Sequence, residues 1–127
     1  MYNIEKEMDD YIKVFKALSD MTRLKIMWLL LNIDEKVCVS EIVDVLEVYQ
    51  YNVSRHLRIL KDAKLINEVK EGKWVFYHLS PLEGEFGQFV HKAICSIPET
   101  EMTKEMTRCK VKLALRTKDD DIPYPGT

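Results

Sequence analysis

The sequence has few glycines, few cysteines and no long apolar segment, and each shortage argues against a class of protein. Four glycines in 127 residues, none of them clustered, leave no glycine-rich loop to cradle phosphate groups. Three widely spaced cysteines do not form the framework of a disulfide-rich secreted domain. The longest apolar run, around residues 26–31, is too short to cross a bilayer.

A single globular domain is therefore expected. The length of 127 residues fits one domain, and a hydrophobic fraction of 46% is that of a folded chain. The opening stretch MYNIEKEMDD is charged from the fifth residue on, unlike a secretory signal. We expect a cytoplasmic protein without a membrane partner, whose cysteines are free thiols or ligands.

Charge is unevenly distributed along the chain. Residues 50–75 carry six lysines and arginines against three acidic residues, a net charge of +3, whereas the whole chain has −2 and the remainder therefore −5. A local basic stripe on an acidic chain can bind phosphate at one face while the other faces repel it. Ordinary surfaces also show such asymmetry, so charge alone does not indicate a nucleic-acid partner.

Apolar spacing predicts four helices in the first half of the chain. Apolar residues recur at intervals of three and four over residues 3–18, 21–31 and 50–63. Because the second of these is apolar nearly all round, we expect it at the centre of the domain. A third helix is predicted to begin at Ser40, which offers an N-cap, after a short extended segment at residues 37–39.

The apolar period changes after residue 63. LINEVK and WVFYHL are rich in β-branched and aromatic residues and flank Glu71-Gly72, a pattern that predicts a β-hairpin. Helical spacing returns at about residues 82–96 and again at 99–116, interrupted by Pro98. The predicted divisions are a main domain at 1–97, a helical extension at 98–118 and a disordered tail at 119–127.

The stretch QYNVSRHLRILK, residues 50–61, predicts a DNA-reading helix. Val53, Leu57 and Leu60 form its inner stripe, and the outer side is polar. A helix fits the major groove, where Arg, Gln and Asn contact base edges, while lysines suit phosphates. An ordinary solvated face is the alternative, and inward packing is the alternative for His56. The candidate DNA-binding residues are Gln50, Tyr51, Asn52, Ser54, Arg55, His56, Arg58, Lys61, Lys70 and Lys73.

Four stretches follow one another within residues 11–81: FKALSDMTRLKIMWLL, VCVSEIVDVL, YQYNVSRHLRILKDAKLI and GKWVFYHLSP. Together, and in this order, they resemble the ArsR (arsenic-responsive) family of repressors. The resemblance implies a winged helix-turn-helix fold, mainly α with a small β-hairpin wing. It implies a homodimer joined through its first and last helices, bound to double-stranded operator DNA and released by a metal ion, metalloid or other small signal. The apolar stripes on residues 3–18 and 82–96 fit that interface, or else cover the core of one subunit.

The cysteines match the family only in part. Arsenic-sensing members carry Cys-Val-Cys where this chain has Cys38-Val39-Ser40. One thiol does not hold a thiophilic ion, so the hypothesis is a three-thiol site for trivalent arsenic made of Cys38, Cys95 and Cys109. The alternatives are that each cysteine is a small buried apolar residue, or that Cys38 and Cys95 form a redox pair.

Other functions have less support in the sequence. Zinc-sensing relatives carry an aspartate two residues before a histidine of the last helix, but Phe89 precedes His91 here. No Cys-His arrangement indicates nucleophilic catalysis, so we do not expect an enzyme. A thiol-redox-sensing regulator of the same fold, or a protein-interaction winged-helix module without DNA binding, remains as an alternative.

Overall fold

The helices of the computed structural model pack around the apolar second helix. The structure describes residues 7–81 and 84–116. These residues form, in chain order, α1 (Met8–Leu18), α2 (Met21–Ile33), β1 (Val37–Cys38), α3 (Val39–Leu46), α4 (Gln50–Asp62), β2 (Ile66–Glu71), β3 (Trp74–Leu79), α5 (Gly84–Cys95), a 3₁₀ turn (Glu99–Met102) and α6 (Thr103–Ala114). The predicted disordered tail at 119–127 lies outside the described residues.

The predicted central position of α2 and the predicted inner stripe of α4 are confirmed. Five consecutive residues of α2, from Ile26 to Leu30, are buried, which places this helix at the centre of the core. Val53, Leu57 and Leu60 of α4 are fully buried. Burying one such side chain contributes about 1.5–3 kcal/mol, so the apolar stripe holds one side of α4 firmly against the domain.

The predicted hairpin is confirmed and gains a third strand. β3 pairs with β2 and with β1, both antiparallel, so the order across the sheet is β1-β3-β2. The pairing of Glu71 with Trp74 leaves Gly72 and Lys73 as the turn, and Gly72 has φ +61°, a left-handed conformation that favours glycine. β2 and β3 form the wing, with Lys70 and Lys73 near its tip.

The third helix begins one residue earlier than predicted, and Cys38 rather than Ser40 is its N-cap. The Cys38 N–H donates to Glu41 Oε1 at 3.0 Å, and the Cys38 side chain accepts from the backbone of Glu41, which completes a capping box. Ser40 lies in the first turn, with its Oγ 3.2 Å from Cys38 Sγ. The reciprocal bonds of Glu41 therefore decide where α3 starts.

The C-terminal helix packs against α3 through complementary charge. Arg108 Nε donates to the Val45 carbonyl oxygen at 2.7 Å, and Lys112 Nζ lies 2.5 Å from Asp44 Oδ2. Arg116 reaches the buried Glu41 at the first turn of α3. Since Met102 and Cys109 also belong to the hydrophobic core, the segment after Pro98 is packed onto the domain as far as Arg116.

Candidate nucleic-acid interface

Polar side chains line one side of α4, opposite its buried stripe. Arg55 and Arg58 are exposed, and they directly flank the buried His56 and Leu57 in the sequence. Of the other candidates on this helix, Asn52 is half-buried, and those exposed are Gln50, Tyr51, Ser54 and Lys61. A convex helical face of this kind, with Arg and Gln near its start, suits the major groove.

A tight turn sets the angle at which α4 leaves α3. Glu47 adopts a left-handed conformation with φ +56°, and its N–H donates to the Val43 carbonyl oxygen at 2.8 Å, which ends α3. Residues 47–49 are the whole connection, so α3 and α4 form a helix-turn-helix. Tyr49, at the N-cap of α4, is 83% exposed and was not among the predicted site residues.

The two wing lysines predicted for phosphate contacts are exposed. Lys73 Nζ lies 5.6 Å from the centre of the Trp74 ring, a cation–π distance that holds the lysine along the wing. Lys70 is on the strand next to the turn, opposite Val75. Their positions make the wing tip basic. Glu71, the acidic residue beside them, is paired with Lys36, whose Nζ lies 2.5 Å from Glu71 Oε2.

Lys61, at the end of α4, is already paired within the subunit. Its Nζ lies 2.5 Å from Glu68 Oε1 on β2, and this hydrogen bond raises the pKa of Lys61 and lowers the pKa of Glu68. Both side chains are exposed, so the pair is weak and can exchange. A phosphate would have to compete with Glu68 for this lysine.

His56 faces inward, which corrects its inclusion among the candidate DNA-binding residues. It is 7% exposed, and its Nδ1 accepts a hydrogen bond from Arg23 Nη1 at 2.9 Å. Asp20 Oδ2 lies 3.8 Å from the same nitrogen. Burial lowers the pKa of His56, with the charges of Arg23 and Arg55 acting in the same direction and Asp20 against it.

Sequence reasoning missed Arg23 and Asp20 as partners of the reading helix. Asp20 is the N-cap of α2, and its side chain accepts from the Arg23 N–H at 3.1 Å. Asp20 also lies close to His56, 36 positions further along the chain, and this proximity has no signature in local spacing. Arg23 is in the first turn of α2, a mostly apolar helix, and an arginine there was the available signal.

The three cysteines are not brought together in one site. Cys38 and Cys109 are each 3% exposed, whereas Cys95, at the end of α5, is exposed. Within residues 7–81 and 84–116, no group of three or more His, Cys, Asp or Glu side chains is arranged to hold a metal ion. The predicted three-thiol site is therefore not assembled within one subunit.

Cys38 and Cys109 nevertheless share a neighbour. Burial raises the pKa of both thiols, and the Glu41 carboxylate raises it further in each case. Arg116, which is bonded to Glu41, acts on Cys109 in the opposite direction. Two protonated thiols thus lie near one ion pair, at the junction of α3 and α6.

The two histidines outside α4 are His91 on α5 and His78 on β3. His91 on α5 is half-buried, and burial lowers its pKa. His78 Nδ1 lies 3.1 Å from the Leu79 carbonyl oxygen on β3. Neither histidine joins a group of potential metal ligands in the described part of the chain.

α1 and α5 together present an apolar face to solvent. Met8 is 72% exposed and Phe15 60% exposed on α1, and Phe89 is 63% exposed on α5. Phe86 joins the two helices by edge-to-face contacts, with its ring centre 4.7 Å from that of Tyr11 and 5.7 Å from that of Phe15. The core of one subunit thus uses only part of these stripes, and a contiguous exposed apolar face of this kind is typical of protein–protein interfaces.

Residues 20–68, from the cap of α2 into β2, match the sequence model described as "Bacterial regulatory protein, arsR family". The arsenical resistance operon repressor of Bacillus subtilis (strain 168) is 38% identical over 87 residues, which are 68% of this chain and 80% of that protein. The chain belongs to the ArsR family. The repressor of the same name in Escherichia coli (strain K12) is 44% identical over 70 residues, 55% of this chain and 59% of that protein.

Solved structures agree with the winged helix-turn-helix fold of this ArsR-family chain. HlyU from Vibrio cholerae N16961 superposes with a TM-score of 0.59 at 31% identity, over 72% of this chain and 94% of that one. Mb0332 from Mycobacterium bovis, described as a homodimeric winged helix-turn-helix DNA-binding domain, has a TM-score of 0.58 at 25% identity, over 68% and 76%. The predicted fold class and family are confirmed. Among the described residues, no helix has the length and apolarity needed to cross a membrane.

Proposed function

We propose that this ArsR-family regulator is a homodimeric transcriptional repressor that places α4 in the major groove of operator DNA. The observation that supports the proposal best is the outward side of α4, where Arg55 and Arg58 are exposed while three apolar residues anchor the opposite side. The family match and the DNA-binding neighbour Mb0332 support it independently. Bacterial operators lie in the cytoplasm, which is where the protein would act.

Base reading and phosphate contact are divided between different residues. Arg55, Arg58, Gln50 and Asn52 have the donors and acceptors that recognise guanine and adenine edges. Tyr51, Ser54 and Lys61 suit the sugar-phosphate backbone beside the groove, and Lys70 and Lys73 suit the backbone flanking it. The wing is therefore expected to set register and affinity, and α4 to set sequence preference.

The apolar face of α1 and α5 is the proposed dimer interface. Two copies related by a twofold axis would bury Phe15 and Phe89, which the isolated subunit leaves exposed. The two α4 helices then read half-sites related by the same symmetry and separated by about one helical turn. A palindromic operator follows from this geometry.

The proposed signal for release is a thiophilic metal or metalloid, with trivalent arsenic as the first to test. Two relatives are named as arsenical resistance operon repressors, and Cys38 and Cys109 lie near one carboxylate at the junction of α3 and α6. Trivalent arsenic prefers about three thiolates. Since no three-ligand group is preformed in the described subunit, binding requires a shift of α6 or a thiol from the second subunit. Oxidation of the same thiols is the alternative signal.

Binding to DNA is tested first with the unmodified chain. A duplex recovered by the protein from a random-sequence pool should bind with a dissociation constant on the order of nanomolar, and affinity should fall steeply as salt rises. A protein-interaction module would instead bind every duplex weakly, even at low salt. That second result would exclude the repressor and favour the alternative function.

A further inference from the structure

Arg23 connects the end of α1 to the reading helix through a single guanidinium group. Its Nε donates to the Ala17 carbonyl oxygen at 2.6 Å, and its Nη2 lies 3.4 Å from the Lys16 carbonyl oxygen, both in the last turn of α1. Its Nη1 donates to His56 Nδ1 in the middle of α4 at 2.9 Å. Carbonyls in the last turn of a helix lack intrahelical donors, so the cation both caps α1 and complements its dipole.

We propose that Arg23 and His56 are a positioning pair that sets the angle between the dimerisation helix α1 and the reading helix α4. The inference rests on the proposed function, since it explains how the two reading helices of a dimer acquire a defined mutual orientation. Neither residue contacts DNA in this account, because His56 is 7% exposed and faces the core. The pair acts through Arg55 and Arg58, which are exposed on α4, the same helix as His56.

The hydrogen bond at His56 adds a directional restraint to the apolar packing of α4. Val53, Leu57 and Leu60 fix where the axis of α4 lies, but hydrophobic burial is non-directional and tolerates small rotations about that axis. A hydrogen bond weakens steeply with misalignment. The bond at His56 therefore restrains rotation, and any rotation of α4 moves Arg55 and Arg58 with it because they belong to the same rigid helix.

The pair has a defined protonation state. A guanidinium donates and never accepts, so His56 Nδ1 must be the unprotonated nitrogen and the ring hydrogen must be on Nε2. The charged groups near the ring are Asp20, Arg23 and Arg55. Burial and the two arginines disfavour a second proton, whereas Asp20 favours it. Acidification that protonates Nδ1 would remove the acceptor and break the link.

Two substitutions at His56 separate positioning from packing. His56→Asn keeps an acceptor near the position of Nδ1 and cannot titrate, whereas His56→Leu keeps the volume and removes the acceptor. Arg23→Lys changes the donor instead: it retains the charge but not the three-donor geometry, and it serves as a second test should His56→Leu fail to fold. Dimer mass and thermal unfolding establish which variants are folded before any comparison.

The first readout needs no DNA. Residual dipolar couplings of the full-length chain give the angle between the axes of α1 and α4. We expect a changed angle in His56→Leu and Arg23→Lys, and the wild-type angle in His56→Asn. An unchanged angle in folded His56→Leu would overturn the inference, because a side chain that only stabilises the core does not alter helix orientation in the folded state.

The second readout is affinity for the duplex that the wild-type chain recovers from a random pool. We expect about tenfold weaker binding by His56→Leu and about wild-type affinity for His56→Asn, whose binding should also lose its sensitivity to acid. Equal affinity of folded His56→Leu and wild type would contradict the pair's role. If the angle changes while the wild-type chain binds no duplex, the positioning pair stands and the proposed function fails.

Discussion

Arg116 and Glu41 form a bidentate ion pair in the interior, 75 positions apart in the sequence. Arg116 Nε lies 2.8 Å from Glu41 Oε2 and Nη2 lies 2.6 Å from Oε1, with side chains 6% and 3% exposed. Nη2 also donates to the Lys36 carbonyl oxygen at 2.7 Å. Because Glu41 Oε1 accepts from the Cys38 N–H as well, the pair joins the end of α6 to the start of α3.

Removing one partner of this pair should destabilise the fold strongly. Arg116→Ala leaves the Glu41 carboxylate buried without its main counter-charge, a change that costs about 3–5 kcal/mol in comparable pairs. Lys110→Ala, on the exposed side of the same helix, should stay within about 0.5 kcal/mol of wild type. Urea unfolding of both variants measures the difference, and a loss below about 1 kcal/mol in Arg116→Ala would show that α6 is not held by this contact.

Stability should decrease on acidification through His56. Its pKa is lowered in the folded state, so between the folded and unfolded pKa values the unfolded chain binds more protons. The contribution to stability is therefore complete above the unfolded value of about 6.5 and is lost as pH falls through the folded value. His56→Asn isolates this contribution from those of the carboxylates. The free energy of unfolding should fall more steeply between pH 7.5 and 5 for wild type than for His56→Asn, and parallel curves would refute the assignment.

Trivalent arsenic should release the recovered duplex from the reduced wild-type protein. Cys38→Ser and Cys109→Ser should each abolish or greatly weaken release, because these two thiols adjoin Glu41 at the α3–α6 junction. Cys95→Ser, which changes the exposed thiol at the end of α5, should weaken release less. Fluorescence anisotropy of labelled duplex during titration measures release.

The same titration distinguishes the two signals. Release by arsenite in the presence of excess reductant supports metalloid sensing, whereas release by a mild oxidant alone supports redox sensing. Wild-type release by Cys38→Ser and Cys109→Ser would exclude both cysteines as the sensor.

Self-association should depend on the apolar face of α1 and α5. Phe89→Asp places a charge on that face and should convert the dimer to a monomer in sedimentation equilibrium. Val111→Asp is a matched control, since Val111 is 57% exposed on α6, which is outside the proposed interface. If the Phe89→Asp variant still had the mass of two chains, α5 would not be part of the dimer interface.

Local features of this chain were predictable from sequence, and long-range polar contacts were not. The stripe of Val53, Leu57 and Leu60 follows a helical period, and the strands around Gly72 follow their composition, so both were predicted correctly. The inward orientation of His56 fits the same period and was given as an alternative, but its partner Arg23, 33 positions earlier, has no signature in the spacing. Capping by Cys38 was missed because cysteine is not a typical cap and its acceptor role depends on Glu41.

The arrangement of the three cysteines could not be predicted from the sequence either, for a different reason. A count of three thiols and one match to a family position suggested a single cluster. Whether thiols meet depends on where helices separated by fifty or more residues pack, and the structure leaves Cys95 at the surface while α6 brings Cys109 towards Glu41. Composition supplied the residues, and only packing decides which of them are neighbours.

The exposed arginines of α4 test the central claim most directly. Arg55→Ala/Arg58→Ala is compared with Lys104→Ala/Lys110→Ala, which removes the same charge from the exposed side of α6. Each base contact contributes about 1–3 kcal/mol, so anisotropy titration of the recovered duplex should show a loss of at least about thirtyfold for the first variant. The second variant should change affinity by no more than about threefold. Equal affinity of the two variants, both with the wild-type melting temperature, would contradict the account.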